Sequence, residues 1–157
     1  MKKSLLYLFS LALCVMSLSG CKDRNGADSD DYVDLGLPSG TLWQNHNQIT
    51  PACTYADALQ LESGKLPTKA QYEELISNCE WSWSGSSYTI TGPNGNSIVI
   101  YARGKYYGKE HAEEGHIGTY WTSTEDDDLI YYLEFTSERK ELYTASRSYK
   151  CYVRAVK

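Results

Sequence analysis

Leu66-Pro67-Thr68-Lys69-Ala70-Gln71-Tyr72-Glu73-Glu74-Leu75-Ile76-Ser77-Asn78-Cys79 is the stretch on which the fold turns. Thr68 and Gln71 have capping-box spacing: the hydroxyl accepts from the Gln71 amide, and the Gln71 side chain reaches back. Tyr72, Leu75, Ile76 and Cys79 follow at i, i+3, i+4 and i+7, so one apolar face is predicted, with Glu73, Glu74 and Asn78 off it. Upstream, Thr54 as N-cap, Asp57, Ala58, Leu59 and a stop at Gly64 predict a shorter helix. Further upstream, Tyr32-Val33-Asp34-Leu35 and Thr41-Leu42-Trp43 flank the turn Leu37-Pro38-Ser39-Gly40, a predicted hairpin. Downstream, Tyr88-Thr89-Ile90-Thr91 and Ser97-Ile98-Val99-Ile100 flank a strong turn, Gly92-Pro93-Asn94-Gly95-Asn96. Strands are then predicted at Thr119 to Thr122, Leu129 to Phe135, Glu141 to Ala145 and Tyr149 to Val156. In the last, Cys151, Val153 and Ala155 share one face, and Tyr152 and Arg154 the other. A hairpin, two helices and many strands make the class α+β.

The chain of 157 residues suits one main domain. Twenty acidic residues against 15 basic give a formal charge of −5, so there is no basic footprint for nucleic acid. With 22% charged residues and four Trp, fourteen Tyr and two Phe, the composition is that of a folded chain.

The N-terminus reads as an address. Lys2 and Lys3 precede an apolar run from Leu5 to Leu18, too short to span a bilayer as a helix, which needs about 20 residues, but suited to a secretory signal over residues 1–20. Leu18-Ser19-Gly20-Cys21 resembles the bacterial lipobox. That implies a diacylglycerol thioether on Cys21, cleavage before it, and acylation of the new amine with chains such as palmitate. Several acyl chains exceed what stable anchoring requires. Residues 21–31 read as a solvated tether, leaving the domain at 32–157. Lys22-Asp23 partly resembles the signal that sends Bacteroidetes lipoproteins to the cell surface, although Arg24 breaks the match. An outer-membrane lipoprotein at the cell surface is expected, with the periplasmic leaflet as the alternative.

Five motifs in order resemble Bacteroidetes proteins with the Fibrobacter succinogenes major paralogous domain. They are Tyr32-Val33-Asp34-Leu35-Gly36-Leu37-Pro38-Ser39-Gly40-Thr41-Leu42-Trp43; Leu66-Pro67-Thr68-Lys69 with Asn78-Cys79-Glu80-Trp81; Gly92 to Ile98; Tyr120-Trp121-Thr122-Ser123-Thr124; and Tyr152-Val153-Arg154-Ala155-Val156. That family is similar to C-type-lectin-like domains and to the formylglycine-generating-enzyme superfamily. The resemblance implies two helices packed on small, mostly antiparallel sheets, with N- and C-terminal strands close together and an irregular ligand face on a later sheet. Related domains serve as adhesins. The chain departs from the pattern at Gln44-Asn45-His46-Asn47, where Ala-Thr-Cys-Asn is usual, in a shortened segment before the first helix, and at Cys151, where an aromatic is usual.

With Cys14 in the signal and Cys21 lipidated, Cys53, Cys79 and Cys151 remain. One disulfide and one buried thiol are expected in an oxidising compartment, as Cys53–Cys79, with Cys53–Cys151 the alternative. The oxidase branch of the superfamily needs a C-terminal pair of reactive cysteines. Only Cys151 lies there, so no enzyme activity is expected. His46, His111 and His116 lack a zinc spacing and read as loop residues; no metal or other cofactor is expected. Glu125-Asp126-Asp127-Asp128 reads as a solvated turn between strands. Exposed Tyr and Trp near Ser and Arg suit recognition. Trp121, Ser123, Tyr143, Arg147 and Tyr149 are the candidate site, as stacking or hydrogen-bonding groups for a glycan or protein ligand. A structural subunit of a surface appendage or envelope complex is the other reading.

Overall fold

The computed structural model describes residues 32–45, 51–61 and 65–157. The residues of the expected signal, lipidation site and tether, His46 and the expected helix stop at Gly64 lie outside the described residues.

The opening hairpin forms as predicted: β1 (Tyr32–Asp34) pairs antiparallel with β2 (Leu42–Gln44). Helix α1 spans Tyr55–Leu61, and the Thr54 hydroxyl accepts from the Asp57 amide at 3.4 Å. Helix α2 spans Lys69–Asn78 with the full capping box. The Gln71 amide donates to the Thr68 hydroxyl at 3.1 Å, and the Thr68 amide donates to the Gln71 side chain at 2.8 Å. Tyr72 and Leu75 of the predicted stripe are fully buried, and Ile76 and Cys79 pack at its margin.

Three strands follow: β3 (Glu80–Trp83), β4 (Ser87–Thr91) and β5 (Ser97–Tyr101), in a β3-β4-β5 sheet. The turn after β4 presses on the opening hairpin. A Cβ on Gly92 would lie 2.0 Å from the Leu35 carbonyl oxygen, so only glycine fits there. β6 (Lys105–Tyr107) and β7 (Glu110–Ala112) make a small hairpin not predicted from sequence. His111 is therefore a strand residue and not part of a loop. Its Nε2 lies 2.7 Å from the Arg103 carbonyl and 3.2 Å from the Tyr152 hydroxyl.

The last sheet has order β10-β9-β8, from β8 (Gly118–Asp126), β9 (Leu129–Phe135) and β10 (Lys140–Ser146). Strand alternation divides its side chains between two cores. Leu133 and Phe135 join Tyr120, Trp43, Tyr72, Leu75 and Ile90 in the larger cluster, on the α2 side. Ile130 and Tyr132 join Trp121, Tyr55, Ala58, Cys151 and Val153 in the smaller one, on the α1 side.

The C-terminal segment is not the regular strand predicted. It forms isolated bridges, to Cys53, Tyr120 and Trp43 in turn. It runs between β8 on one side and the opening hairpin on the other. The Trp121 amide donates to the Tyr152 carbonyl at 3.0 Å, while Leu42 and Lys157 exchange two backbone bonds of 3.0 Å. Both faces are consequently buried, from Cys151 through Val156. The opening hairpin and the C-terminal segment meet, and the architecture of the described residues is α+β: two helices with several small antiparallel sheets.

Candidate recognition site on the C-terminal strands

The sheet β8–β10 is locked to α2 by an irregularity in β8. The β8–β9 register shifts between Trp121 and Glu125, leaving Thr122-Ser123-Thr124 without ordinary partners. Each finds another. The Thr122 hydroxyl donates to the Tyr131 carbonyl at 2.7 Å, the Ser123 amide donates to the Pro67 carbonyl at 2.8 Å, and the Thr124 hydroxyl accepts from the Lys69 amide at 2.9 Å. The bulge thus supplies an acceptor for one of the orphan amides at the start of α2.

An open groove of about 470 Å³ lies between α2 and the outer part of this sheet. Lys69, Glu73, Ile76 and Ser77 line it from the helix; Tyr131 and residues 140–143 line it from β9 and β10. Charges alternate in sign along its walls. Lys69 pairs with Glu73 at 3.4 Å and sits 4.6 Å from the Tyr131 ring centre. Lys140 sits 4.9 Å from the ring centre of Tyr88, outside the larger core.

β10 is an edge strand. The Thr136 amide donates to the Arg139 carbonyl at 2.9 Å, which closes the β9–β10 turn and sets the alternation beyond it. By that alternation Glu141, Tyr143 and Ala145 aim their backbone groups at β9. Lys140, Leu142, Thr144 and Ser146 aim theirs outward. Leu142 lies opposite Leu133, so its side chain shares the groove face of the sheet.

The other face carries aromatics around a buried charge. Glu134, with its side chain 4% exposed, receives Lys105 Nζ at 2.7 Å and Arg139 Nη2 at 3.0 Å. Tyr132, Tyr143 and Tyr149 pack beside it, with Tyr132 5.5 Å from Tyr149 and 6.1 Å from Tyr143 between ring centres. The Tyr143 hydroxyl donates to Glu141, which pushes its phenol up. Burial pushes up the phenols of Tyr132 and Tyr149.

The five candidate residues fall into three groups. Trp121 is 0% exposed and its Nε1 donates to the Cys53 carbonyl at 2.9 Å, so its ring packs the core and cannot stack on a ligand. It meets the half-buried Tyr149 edge-on, with ring centres 6.3 Å apart. Ser123 is half-buried in the bulge, with its amide on Pro67 and its carbonyl accepting from Tyr55 at 3.4 Å. Tyr143 and Arg147 reach the surface, whereas Tyr149 is half-buried and its hydroxyl is enclosed with no hydrogen-bond partner among the described residues. Arg147 grips Glu125 through two bonds of 3.3 and 2.6 Å and covers the Tyr55 ring.

Sequence reasoning missed the groove residues Lys69, Glu73, Tyr131, Lys140 and Leu142. The signal was there in part: Lys69 and Glu73 lie off the apolar stripe of α2 at i,i+4 spacing, and Lys140, Leu142 and Thr144 alternate on one side of a strand. The acidic run straddles the exposed β8–β9 turn, as expected.

The expected Cys53–Cys79 disulfide is not formed. No bond joins Cys53, Cys79 and Cys151 in the structure, and the backbone bridge sets Cys53 opposite Cys151. Cys53 packs on the smaller core and Cys79 on the larger. Burial is the main force pushing the Cys53 thiol up to about 11 and Cys151 well above its ordinary value. Neither is poised as a nucleophile at neutral pH. Among the described residues no group of three or more His, Cys, Asp or Glu side chains converges to hold a metal.

Comparison with protein-family models, curated proteins and solved structures returns no match for this chain.

Proposed function

We propose that the protein is a non-catalytic recognition module of the bacterial cell envelope, held by a lipidated Cys21 and built on a C-type-lectin-like plan. The N-terminal sequence supports the anchor. Two helices flanking a late sheet, with the opening hairpin bonded to the C-terminal segment, support the plan. The ligand is bound at the C-terminal strands, and we take it to be an extended segment of a partner protein.

One observation carries that choice: the outward backbone groups of β10 border a groove lined by both charge signs and by Leu142, Ile76 and Tyr131. An added strand would satisfy those groups and place alternate side chains in the groove. Apolar side chains match Leu142 and Ile76. Acidic and basic ones match Lys69, Glu73 and Lys140.

A phage-displayed random peptide library panned on the immobilised full chain tests the reading. Selected peptides should lose at least about tenfold in affinity for Thr144→Pro, which deletes one outward N–H and leaves the β9 ladder intact. Unchanged affinity for that variant overturns the edge as the site. Binding of glycans on an array, with no peptide selected, assigns the face to sugars instead. The anchor is tested separately: metabolic labelling with an alkyne palmitate should tag the wild type and not Cys21→Ala, and an untagged wild type removes it.

A further inference from the structure

We infer that Cys53 and Cys151 form a disulfide that ties the segment ahead of α1 to the C-terminal segment, while Cys79 stays a thiol. The inference rests on the backbone bridge and is independent of the ligand face. The Cys53 amide donates to the Cys151 carbonyl at 2.9 Å, and the Cys151 amide donates to the Cys53 carbonyl at 3.2 Å. Two residues that exchange both bonds in an antiparallel pair hold their Cα atoms about 5.5 Å apart. That lies inside the roughly 4.4–6.8 Å that a disulfide spans.

Both side chains lie in one cluster, and a small approach of the two Cβ atoms from the spacing of a hydrogen-bonded pair closes the bond. Both cysteines belong to the smaller core, on the same side of the sheet. The Trp121 indole bond to the Cys53 carbonyl holds that residue in place, and a Tyr55 amide bond to the Arg147 carbonyl, at 3.2 Å, joins the same two segments again beyond the bridge. Cys79 packs against the larger core, a different cluster.

The chemistry needs an external oxidant, and a glutathione-type disulfide supplies it. The Cys53 thiolate, on the more accessible side, attacks a sulfur of the oxidant. A mixed disulfide forms and one thiolate leaves. The Cys151 thiolate then attacks the Cys53 sulfur, and the second thiolate leaves. Two thiols have lost two protons and two electrons, and the oxidant has become two thiols. Burial keeps both native thiols protonated at neutral pH, so closure is fastest before the fold is complete. The bond closes a loop of about 100 residues, long enough to stabilise the fold substantially.

The test is refolding of the full chain from denaturant in reduced and oxidised glutathione. Free thiols are then alkylated, and the chain is digested without reduction. A linked peptide pair containing Cys53 and Cys151, with Cys79 alkylated, is expected. Reduction should lower the thermal midpoint by roughly 10 °C, in the wild type and in Cys79→Ser alike. The double variant Cys53→Ser/Cys151→Ser should unfold at one temperature with or without reductant. Alkylation of both Cys53 and Cys151 in the unreduced refolded protein overturns the inference, as does linkage of either to another cysteine. Should the double variant not fold, the wild-type peptide map still decides.

Discussion

Single residues in this protein carry unequal weight, and Glu134 carries much of it. A carboxylate that is almost fully buried is tolerable only with cations on both oxygens, here Lys105 and Arg139. Lys105 belongs to the β6–β7 hairpin, so the pair also docks that hairpin on the main sheet. Lys105→Met should cost about 1–3 kcal/mol in urea unfolding. In a double-mutant cycle with Glu134→Gln the two losses should fall well short of additive; simple additivity would show that the pair contributes nothing. Thr122 is a second such residue. Its hydroxyl serves the Tyr131 carbonyl inside the bulge, so Thr122→Val should cost about 1–3 kcal/mol by leaving that oxygen unpaired. At this scale the sequence was partly legible. The aromatic richness around Tyr143 and Tyr149 was visible, but the burial of Trp121 was not, because its face of β8 is set by the C-terminal segment lying across it.

Among the elements, α2 was the most legible, because a capping box and an apolar stripe are local signals that agree with each other. Thr68→Ala removes one half of the box and should cost about 1 kcal/mol by chemical denaturation. A loss below about a few tenths would mean that the Lys69–Thr124 bond alone fixes the helix start. β10 was legible as a strand but not as an edge. Its outward groups, and therefore the groove, depend on which strand lies beside it. The β6–β7 hairpin was missed because its strands have three residues each and its turn, at Gly108-Lys109, lies between polar residues with no apolar alternation.

For the whole molecule, the main consequence of so many buried phenols is a ceiling on alkaline stability. Burial pushes Tyr120 up to about 12 and raises Tyr72, Tyr132 and Tyr149 as well. The sign follows from proton binding. Above about pH 10 the unfolded chain ionises its tyrosines while the folded chain keeps their protons, so the unfolded state binds fewer protons and stability falls as pH rises. Urea midpoints should be flat near about pH 8 and fall steeply between about pH 10 and 12. Phenolate absorbance should rise in the same step as unfolding. A phenolate signal complete before unfolding would mean that these hydroxyls are accessible to solvent.

The sequence by itself determined the α+β class, both helices with their N-caps, and the turns at residues 37–40 and 92–96, all of which arise within a few neighbouring residues. It also carried the expectation of a signal and a lipid anchor, written in residues 1–21. Only the tertiary structure decided which cysteine faces Cys53, that Trp121 is core, and that β10 has an unpartnered side. These depend on where the C-terminal segment threads between β8 and the opening hairpin. That placement is fixed by backbone bonds between residues more than thirty to over a hundred positions apart. No local pattern encodes such pairings, because an alternating strand reads the same whichever neighbours it acquires.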